Sequence, residues 1–552
     1  MMLEKTVRLL DSQFGKFLAS RSGLSGIECE QFQDLICRLS VSLGGGNSCL
    51  PVNDTELALV RKSTLANDGR EEGHQPLCLL GNRLYLQRFF AYEQSLVEKV
   101  RVLLSSTKEL LVEKTTLDEL FAKEKNGETD WQKAAAVQAL KQNFLIISGG
   151  PGTGKTTTVV KILALLQIAA QGRLRIALAA PTGKAAMRLQ ESIVLSVRGI
   201  ALDAAIAKTI PEKASTLHRL LGVKQYSPFF RHNEENLLLY DVVVIDEASM
   251  VDLALMSKLL AALRPDTRLI LLGDKDQLAS VESGTVLADM IRALPGNTVE
   301  LQMSYRFDRG IKHFATAINR GDSVAAWKLL GAESPENVTL LEGDAAEYGG
   351  KRYSHYMEAV QKAITLDDYS TLFRMFQSFK ILCALRHGPE GVQGVNEKVE
   401  QVLRGKGFKG MDANWYRGRP VLITRNEYGL DLYNGDIGLC LPDPENPQIL
   451  KVWFERSDGS LYGVLPGRLG SCETVYGLTI HKSQGAEFGE IVVLLPTRPS
   501  PLVTRELLYT AVTRARENVI IKASYSAFDS AVLTRTQRHS GLAELFSMNK
   551  MA

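Results

Sequence analysis

The sequence predicts an α/β protein built on parallel sheets that are covered by helices on both faces. From Trp131 onward, near-continuous runs of Ile, Leu and Val alternate with helical segments, which is typical of strands buried on both sides. A second alternating region starts near Leu301 and runs to the C-terminus. Between Gly410 and Arg468 short β-type runs replace this pattern, and they predict a small inserted barrel.

The first 115 residues are predicted to form a small accessory domain, because the chain is too long for one core. Helical periodicity gives way to the glycine-rich break Gly44–Ser48, and a hairpin that turns at Gly81 and Asn82 leads into a helix. This part contains no catalytic constellation, so we expect it to be a docking surface for other subunits. The predicted domains are 1–115, 116–300, 301–409 together with 470–552, and the insert 410–469.

The composition is that of an ordinary globular protein and argues against several classes. A formal net charge of +3 over 552 residues is weaker than that of a protein that coats DNA. The seven cysteines form no C-x-x-C pair and no zinc-type spacing with histidine, so we expect no iron–sulfur cluster. The sequence shows neither a signal-peptide pattern nor a run of about 18 apolar residues, and we therefore expect a cytoplasmic protein without membrane contact.

The strongest chemical signal is the stretch GGPGTGKT at 149–156, which follows an apolar strand and precedes a helix. Its glycines let backbone N–H groups face a phosphate, and the following helix adds its positive N-terminal end. We expect Lys155 to reach the β- and γ-phosphates of ATP and the Thr156 hydroxyl to bind Mg²⁺. The candidate nucleotide-binding residues are Gly149, Gly150, Pro151, Gly152, Thr153, Gly154, Lys155, Thr156 and Thr157.

Polar residues at the ends of two further strands complete the predicted nucleotide site. Asp246 ends the run VVVID and is expected to bind Mg²⁺, while Glu247 beside it is the candidate general base. Gln277 follows the run RLILLGD and is expected to sense the γ-phosphate through its amide. The competing interpretation is a helix N-cap pair for the two acids and a polar turn residue for Gln277.

Two downstream segments supply arginines that are candidates for stabilising the transferring phosphoryl group. A guanidinium group stays charged and suits the charge that spreads over that group. Arg514 lies between a predicted helix and the strand NVIIKA, where a second domain would face the first. It is the first candidate for an arginine finger, and Arg306 in SYRF is the second. An ordinary surface salt bridge is the alternative for either arginine.

Eight segments resemble, in order, the motifs of superfamily 1 helicases: GGPGTGKT, APTGKAAMRL, STLHRLLG, VVVIDEASM, GDKDQLASV, SYRF, TIHKSQGAEF and YTAVTRAR. HKSQG and VTRAR are similar to the 5′-to-3′ branch. GNRLYLQRFFAYE and TRTQRHSGLAELF resemble the RecD family of exodeoxyribonuclease V (RecBCD) subunits. The resemblance implies two RecA-like domains and an SH3-like insert. It also implies that Gln132 contacts adenine, Tyr305 packs near the base, and Glu487 contacts the ribose.

The same resemblance implies a mechanism and partners. ATP closes and hydrolysis reopens a cleft between the two RecA-like domains, so that the chain moves 5′ to 3′ along single-stranded DNA. The partners implied are DNA ends and RecB-like and RecC-like subunits of a heterotrimer that acts in break repair and recombination. The sequence shows no nuclease-type cluster, so any cutting would belong to another subunit. A free-standing helicase and an ATP-binding structural subunit without turnover are the alternatives.

Polar loops at strand ends predict a nucleic-acid track on both motor domains. For the Ser-Thr pair of STLHR the alternative is a plain helix N-cap. The segment TIHKSQ carries five polar side chains in six residues before Gly485. We expect Gln484 and Gly485 to link the track to the ATP site. The candidate DNA contacts are Pro181, Thr182, Lys184, Ser215, Thr216, His218, Thr479, His481, Lys482, Ser483 and Gln484.

The segment 222–240 is rich in aromatic residues and carries two open interpretations. In this helicase class a hairpin at this place acts as a pin that splits the duplex. Tyr226, Phe229 and Phe230 would then face the nucleic acid, or they would form a buried cluster that tethers the loop, because aromatic rings stack on bases and fill cores equally well.

Overall fold

A computed structural model describes residues 7–69, 75–106, 108–121, 130–200, 202–224, 227–280, 282–301, 309–331, 337–456 and 459–548. The strands in these ranges form four sheets, of which two are entirely parallel. Within the same ranges no helix is long and apolar enough to cross a membrane.

The N-terminal part combines helices with a small mixed sheet. Its elements are α1 (Leu9–Ala19), α2 (Gly26–Gly44), β1 (Leu50–Pro51), α3 (Asp54–Lys62), β2 (Ala66–Asn67), β3 (Leu77–Leu80), β4 (Arg83–Leu86), α4 (Gln87–Ser105) and α5 (Lys114–Leu120). The strand order is β1-β4-β3-β2, and the predicted hairpin is confirmed by the antiparallel pairing of β3 with β4. Helix α5 crosses the predicted boundary at 115 and packs on the helix that follows the glycine-rich loop.

The first lobe (130–301) is a six-stranded parallel sheet between helices. Its elements are α6 (Trp131–Lys141), β5 (Phe144–Ser148), α7 (Lys155–Ala169), β6 (Ile176–Ala180), α8 (Gly183–Gly199), α9 (Ala204–Ala207), β7 (Ser215–Thr216), α10 (Leu217–Leu221), β8 (Val242–Ile245), α11 (Leu253–Ala261), β9 (Arg268–Gly273), α12 (Val286–Ala293) and β10 (Thr298–Glu300). The strand order is β10-β5-β9-β8-β6-β7, and the residues of β5, β6, β8 and β9 are all buried. The predicted parallel sheet is confirmed, because apolar strands covered on both faces need helices on both sides.

The second lobe begins with α13 (Arg309–Arg320), α14 (Ser323–Lys328), β11 (Val338–Leu340), α15 (Ala345–Lys362), α16 (Leu366–Ser378), β12 (Phe379–Cys383) and α17 (Val392–Gly405). An insert then interrupts it with β13 (Pro420–Ile423), β14 (Ile437–Pro442), β15 (Leu450–Glu455), β16 (Leu461–Val464) and β17 (Cys472–Thr474). These five strands pair antiparallel in the order β16-β15-β14-β13-β17. Strand β17 extends the insert past the predicted boundary at 469, while closure into an SH3-like barrel stays a prediction.

The chain returns to the second lobe with β18 (Gly477–Thr479), β19 (Phe488–Leu494), α18 (Arg505–Val512), β20 (Ala515–Lys522), α19 (Tyr525–Leu533) and α20 (Leu542–Met548). The five parallel strands have the order β11-β20-β19-β12-β18, which confirms the second predicted parallel sheet. The N-terminal ends of β19 and β20 face the first lobe, since Gln484 and Arg514, just before them, bond to residues that follow β9.

The C-terminal segment 535–548 leaves the second lobe, although the sequence assigned it there. Helix α20 packs on α4 and α12. The Arg538 guanidinium donates to the carbonyl oxygens of Glu282 and Gly284 at 3.0 and 3.1 Å, and the backbone N–H of Ser48 donates to the carbonyl of His539 at 3.0 Å. The segment therefore fastens the second lobe to the first lobe and the N-terminal part.

Candidate nucleotide site and nucleic-acid track

The glycine-rich loop joins the C-terminal end of β5 to the start of α7. Gly152 and Gly154 have φ values of +78° and +80°, a left-handed conformation that suits glycine. The Nζ atom of Lys155 donates to the carbonyl oxygens of Gly149 and Gly150 at 2.6 and 3.1 Å. The loop thus curls over its own lysine, and the amine is held where a phosphate chain along the loop would lie.

Acidic side chains gather beside this lysine at the ends of neighbouring strands. Burial lowers the pKa of Lys155, while the charges of Asp274, Glu247 and Asp246 oppose that change. Burial also raises the pKa of Asp246, and the adjacent Glu247 raises it further. One lysine and three carboxylates, of which only Asp274 is fully buried, form a site that gains from a bound cation and a bound anion together.

Glu247 has an unusual backbone for a residue other than glycine. Its φ value is +50°, and its N–H donates to the Oδ1 atom of Asp246 at 2.8 Å. Such a left-handed residue costs of order 1 kcal/mol or more and persists only where the surroundings fix it. The strain therefore coincides with the candidate general base.

Arg514 reaches the first lobe from the end of α18. It is 2% exposed, and its Nη2 atom donates to the Oε1 atom of Gln277 at 2.8 Å. The Nε2 atom of Gln277 in turn donates to Asp274 at 3.1 Å. One cavity of about 440 Å³ contains both this arginine and Lys155. Its lining residues are Pro151, Gly152, Gly154, Lys155, Thr156, Thr157, Ala185, Arg188, Ser192, Leu195, Ser196, Asp246, Glu247, Gln277, Gly485, Glu487 and Arg514.

Three residues of this site were not assigned from the sequence. Tyr509 donates its hydroxyl to the Oδ2 atom of Asp274 at 3.1 Å, and burial raises the pKa of Asp274 to about 6. Arg188 of α8 forms an ion pair with Glu487 from the opposite lobe. These partners lie far apart along the chain, so no local pattern indicates that they meet.

Several predicted nucleotide contacts lie elsewhere or outside the described residues. Gln132 is half-buried in the first turn of α6, where Asp130 caps its N–H, and it does not line the cavity. The carboxylate of Glu487 forms ion pairs with Arg188 and with Arg516, the latter at 2.9 Å. Their contacts with adenine and ribose stay predictions. Tyr305, Arg306 and Tyr226 lie outside the described residues.

The predicted track residues of the first lobe begin α8 and α10. The hydroxyls of Thr182 and Thr216 accept the N–H groups of Ala185 and Arg219, each at 3.2 Å, so both threonines cap helices. The plain N-cap is thus present, and His218 in the first turn of α10 is exposed. Pro181, Lys184 and Ser215 are half-buried at the same edge of the sheet.

The predicted track residues of the second lobe lie in the turn between β18 and β19. The Thr479 hydroxyl accepts the N–H of Lys482 at 3.2 Å, and the Lys482 amine pairs with Glu473 at 2.5 Å. Ser483 and Gln484 are buried, and the Gln484 amide donates to the carbonyl of Leu278 in the first lobe at 3.2 Å. His481 is exposed. Gln484 and Gly485 thus join the exposed turn to the nucleotide cavity.

The segment 222–240 closes a short hairpin at its start. Val223 pairs antiparallel with Phe230, and the N–H of Arg231 donates to the carbonyl of Gly222 at 2.7 Å. Phe229, next to the paired Phe230, is 69% exposed, whereas the ring of Phe230 packs on His218 with centroids 5.7 Å apart. One ring is available for stacking on a base and the other anchors the loop.

Two parallel-sheet lobes that meet around one cavity, with a glycine-rich loop on one side and an arginine on the other, define a P-loop NTPase with two RecA-like domains. Known proteins agree: an AAA domain family matches 132–283, and a UvrD-like helicase C-terminal domain family matches 474–521. The RecBCD enzyme subunit RecD of Mycolicibacterium smegmatis is 41% identical over 472 residues, which cover 84% of this chain and 82% of that protein. The chain belongs to the RecD family.

Two further relatives have the following similarity. The RecBCD enzyme subunit RecD of Haemophilus influenzae is 36% identical over 557 residues, which cover 90% of this chain and 85% of that protein. A solved Pif1 helicase from Bacteroides covers 78% of this chain and 97% of its own, with a TM-score of 0.41 and 17% identity. The family assignment does not depend on the latter.

Proposed function

We propose that this chain is an ATP-driven 5′-to-3′ translocase on single-stranded DNA and the helicase subunit of a RecBCD-type complex. It acts at DNA ends in double-strand-break repair and recombination, in the cytoplasm, with RecB-like and RecC-like subunits that supply nuclease activity. The observation that carries the proposal is the single cavity in which Lys155 of one lobe and Arg514 of the other lie together. Family membership supports the DNA substrate and the partners.

The nucleotide site has the groups that ATP with Mg²⁺ requires. A triphosphate draws the Lys155 amine away from the loop carbonyls that it now contacts, and it gives the buried cation a counter-charge. Thr156 and Asp246 line the cavity and would hold Mg²⁺, which usually takes only one or two protein ligands beside phosphates. The metal would neutralise charge on the β- and γ-phosphate oxygens.

The remaining residues act on water and on the γ-phosphate. Glu247 lines the cavity and would accept a proton from the attacking water, and Gln277 lines the same cavity and contacts Arg514 of the second lobe. The Arg514 guanidinium donates to the neutral amide oxygen of Gln277. If it turned to the γ-phosphate, it would exchange this neutral acceptor for a charged one, which makes a stronger hydrogen bond. Cleft closure is thereby tied to the nucleotide state.

Movement along the strand follows from two sets of contacts on separate lobes. Lys184 belongs to the first lobe, and His481 and Lys482 belong to the second. When the cleft closes and reopens, the distance between the two sets changes, and alternate release moves the chain along the strand. The proposed units of this motor are 1–115, 116–300 with a pin-like hairpin at 222–240, 301–409 with 470–552, and 410–469.

ATP hydrolysis with and without an oligo-dT strand tests the motor function. We expect the strand to stimulate hydrolysis by the wild type and by Lys141→Ala, a control in which an exposed lysine of α6 is removed. Lys155→Ala should abolish both rates. A wild-type rate that ignores the strand would instead support the structural-subunit alternative.

Two further measurements address direction and partners. In strand displacement, duplexes with 5′ tails should be unwound and duplexes with 3′ tails should not, and the opposite preference would refute the proposed polarity. In size-exclusion chromatography, the chain should elute together with RecB-like and RecC-like subunits. Separate elution would favour the free-standing helicase.

A further inference from the structure

A second cavity lies on the other side of α8 from the nucleotide cavity. It has a volume of about 250 Å³ and is lined by all three parts of the motor region. The first lobe contributes α8 and α10, and the second lobe contributes α16 and the starts of β12 and β19. The insert contributes the turn before β14, the end of β15 with Glu455, and the start of β16. Two lysines from opposite lobes, Lys184 and Lys380, line it.

Lys380 carries a buried amine for which no acidic partner is found in the described part of the chain. It is 0% exposed, and within the described part of the chain its Nζ atom has no hydrogen-bond partner. The amine lies 3.3 Å from the centre of the Phe376 ring, which offsets only part of the desolvation cost. Burial lowers the pKa of Lys380 well below its ordinary value, and the charge of Lys184 lowers it further. An unpaired amine at such a place is expensive unless a ligand supplies the opposite charge.

Lys184 faces the same cavity from the first lobe. Its Nζ atom lies 5.6 Å from the centre of the Phe488 ring, and burial lowers its pKa to about 8. The charge of Asp436 in the insert opposes this change. The two lobes therefore present one amine each to the same cavity, and an anion between them would favour the charged form of both.

Carboxylates of the insert stand beside the basic groups of this cavity. Asp431 pairs with Arg219 of α10 at 2.7 Å, and the guanidinium lies 4.6 Å from the centre of the Tyr433 ring. Asp436 is close enough to Lys184 to influence its pKa. Asp431 and Asp436 thus each lie beside a basic side chain. A bound phosphate would replace these carboxylates as the acidic partners of the basic side chains.

We propose that this cavity is a phosphate site of the DNA track, in which a phosphodiester of the strand lies between Lys184 and Lys380. The assignment rests on the proposed function. A strand is favoured over free phosphate because the hydroxyl-bearing residues Ser215 and Thr216 line the same cavity and begin a helix at the edge of the sheet. Entry of the strand displaces the insert carboxylates from their cations, so the site binds a phosphate by exchange of counter-ions.

The test is the salt dependence of oligo-dT binding, followed by fluorescence anisotropy. Lys380→Met keeps the apolar stem and removes the charge. It should lower the slope of log affinity against log salt by about 0.7 and weaken binding about fivefold at about 0.1 M salt. Lys362→Met, which removes an exposed lysine of the same lobe, should bind like the wild type.

The thermal midpoint separates a ligand contact from a structural role. Lys380→Met should unfold at the same temperature as the wild type or higher, because it removes a buried amine that has no hydrogen-bond partner. An unchanged slope in this variant, with a wild type that binds the strand, would overturn the phosphate site alone. A wild type that does not bind the strand would instead overturn the proposed function.

Asp431→Asn provides an independent variant. Asparagine tolerates the left-handed backbone of this position, where φ is +54°. Removal of the competing carboxylate should tighten strand binding severalfold, and unchanged or weaker binding contradicts the exchange. Inorganic phosphate is the second ligand to be tested, through its effect on the thermal midpoint. The strand assignment would be overturned if phosphate stabilised the wild type but not Lys380→Met while that variant still bound oligo-dT like the wild type. The cavity would then be a site for free phosphate.

Discussion

Glu93 holds the C-terminal segment to the N-terminal part through a buried carboxylate. It lies in α4, is 0% exposed, and accepts hydrogen bonds from the Ser48 hydroxyl at 2.5 Å and the Tyr85 hydroxyl at 3.2 Å. The backbone N–H of Gly541 donates to the same carboxylate at 3.2 Å. Glu93→Gln removes the charge and keeps the shape of the side chain, so it measures how much unfolding free energy the ionised carboxylate costs.

The magnitude follows from the pKa of this carboxyl. Burial raises it from 4.5 to about 7, against the effect of the three donors. The folded state therefore holds the proton more tightly than the unfolded state. The stabilising contribution is complete below pH 4.5 and is lost as the pH rises through about 7. A shift of this size corresponds to about 3 kcal/mol of unfolding free energy.

Denaturant unfolding of the wild type and of Glu93→Gln at about pH 5 and about pH 8 measures this term. We expect the variant to gain about 2.5 kcal/mol relative to the wild type between the two pH values, slightly less than the full shift because the unfolded carboxyl is already mostly ionised at about pH 5. Glu98→Gln, on the exposed face of the same helix, should show no such gain. An equal difference between wild type and Glu93→Gln at both pH values would refute the titration of Glu93.

The remaining predictions concern hydrolysis. Arg514→Ala should bind ATP, measured with a fluorescent analogue, but hydrolyse it about 10³-fold more slowly, and retained turnover would refute the finger. Tyr509→Phe loses a donor to Asp274, so kcat should fall about tenfold with little change in KM. The wild-type rate should fall as the pH drops through about 6, where Asp274 gains a proton and where the raised pKa of Asp246 adds to the loss. Tyr509→Phe should shift the Asp274 part of this limb to higher pH. A limb that stays in place in the pH profile would contradict the role of that hydroxyl.

Local patterns in the sequence predicted the parallel sheets, because each strand is a short apolar run between helices. The glycine-rich loop was equally visible, since Gly149–Thr156 carries its geometry within eight residues. The side-chain pairs that join the two lobes could not be predicted from the sequence. Tyr509 and Asp274 are 235 positions apart, and neither has a neighbour that indicates the other. The same holds for Lys380, whose amine lies against the ring of Phe376 in its own lobe and shares a cavity with Lys184 of the other lobe.

Helix α8 is the physical link between the two cavities. Its threonine cap fixes the first turn at the end of β6, and its 17 residues run between the lobes. Arg188 and Ser192 of this helix line the nucleotide cavity, while Lys184 and Met187 line the second cavity. A nucleotide that breaks the ion pair of Arg188 with Glu487 therefore releases the same helix that positions Lys184. Since coupling between two binding sites is reciprocal, a strand phosphate at Lys184 must alter nucleotide affinity by the factor with which nucleotide alters strand affinity.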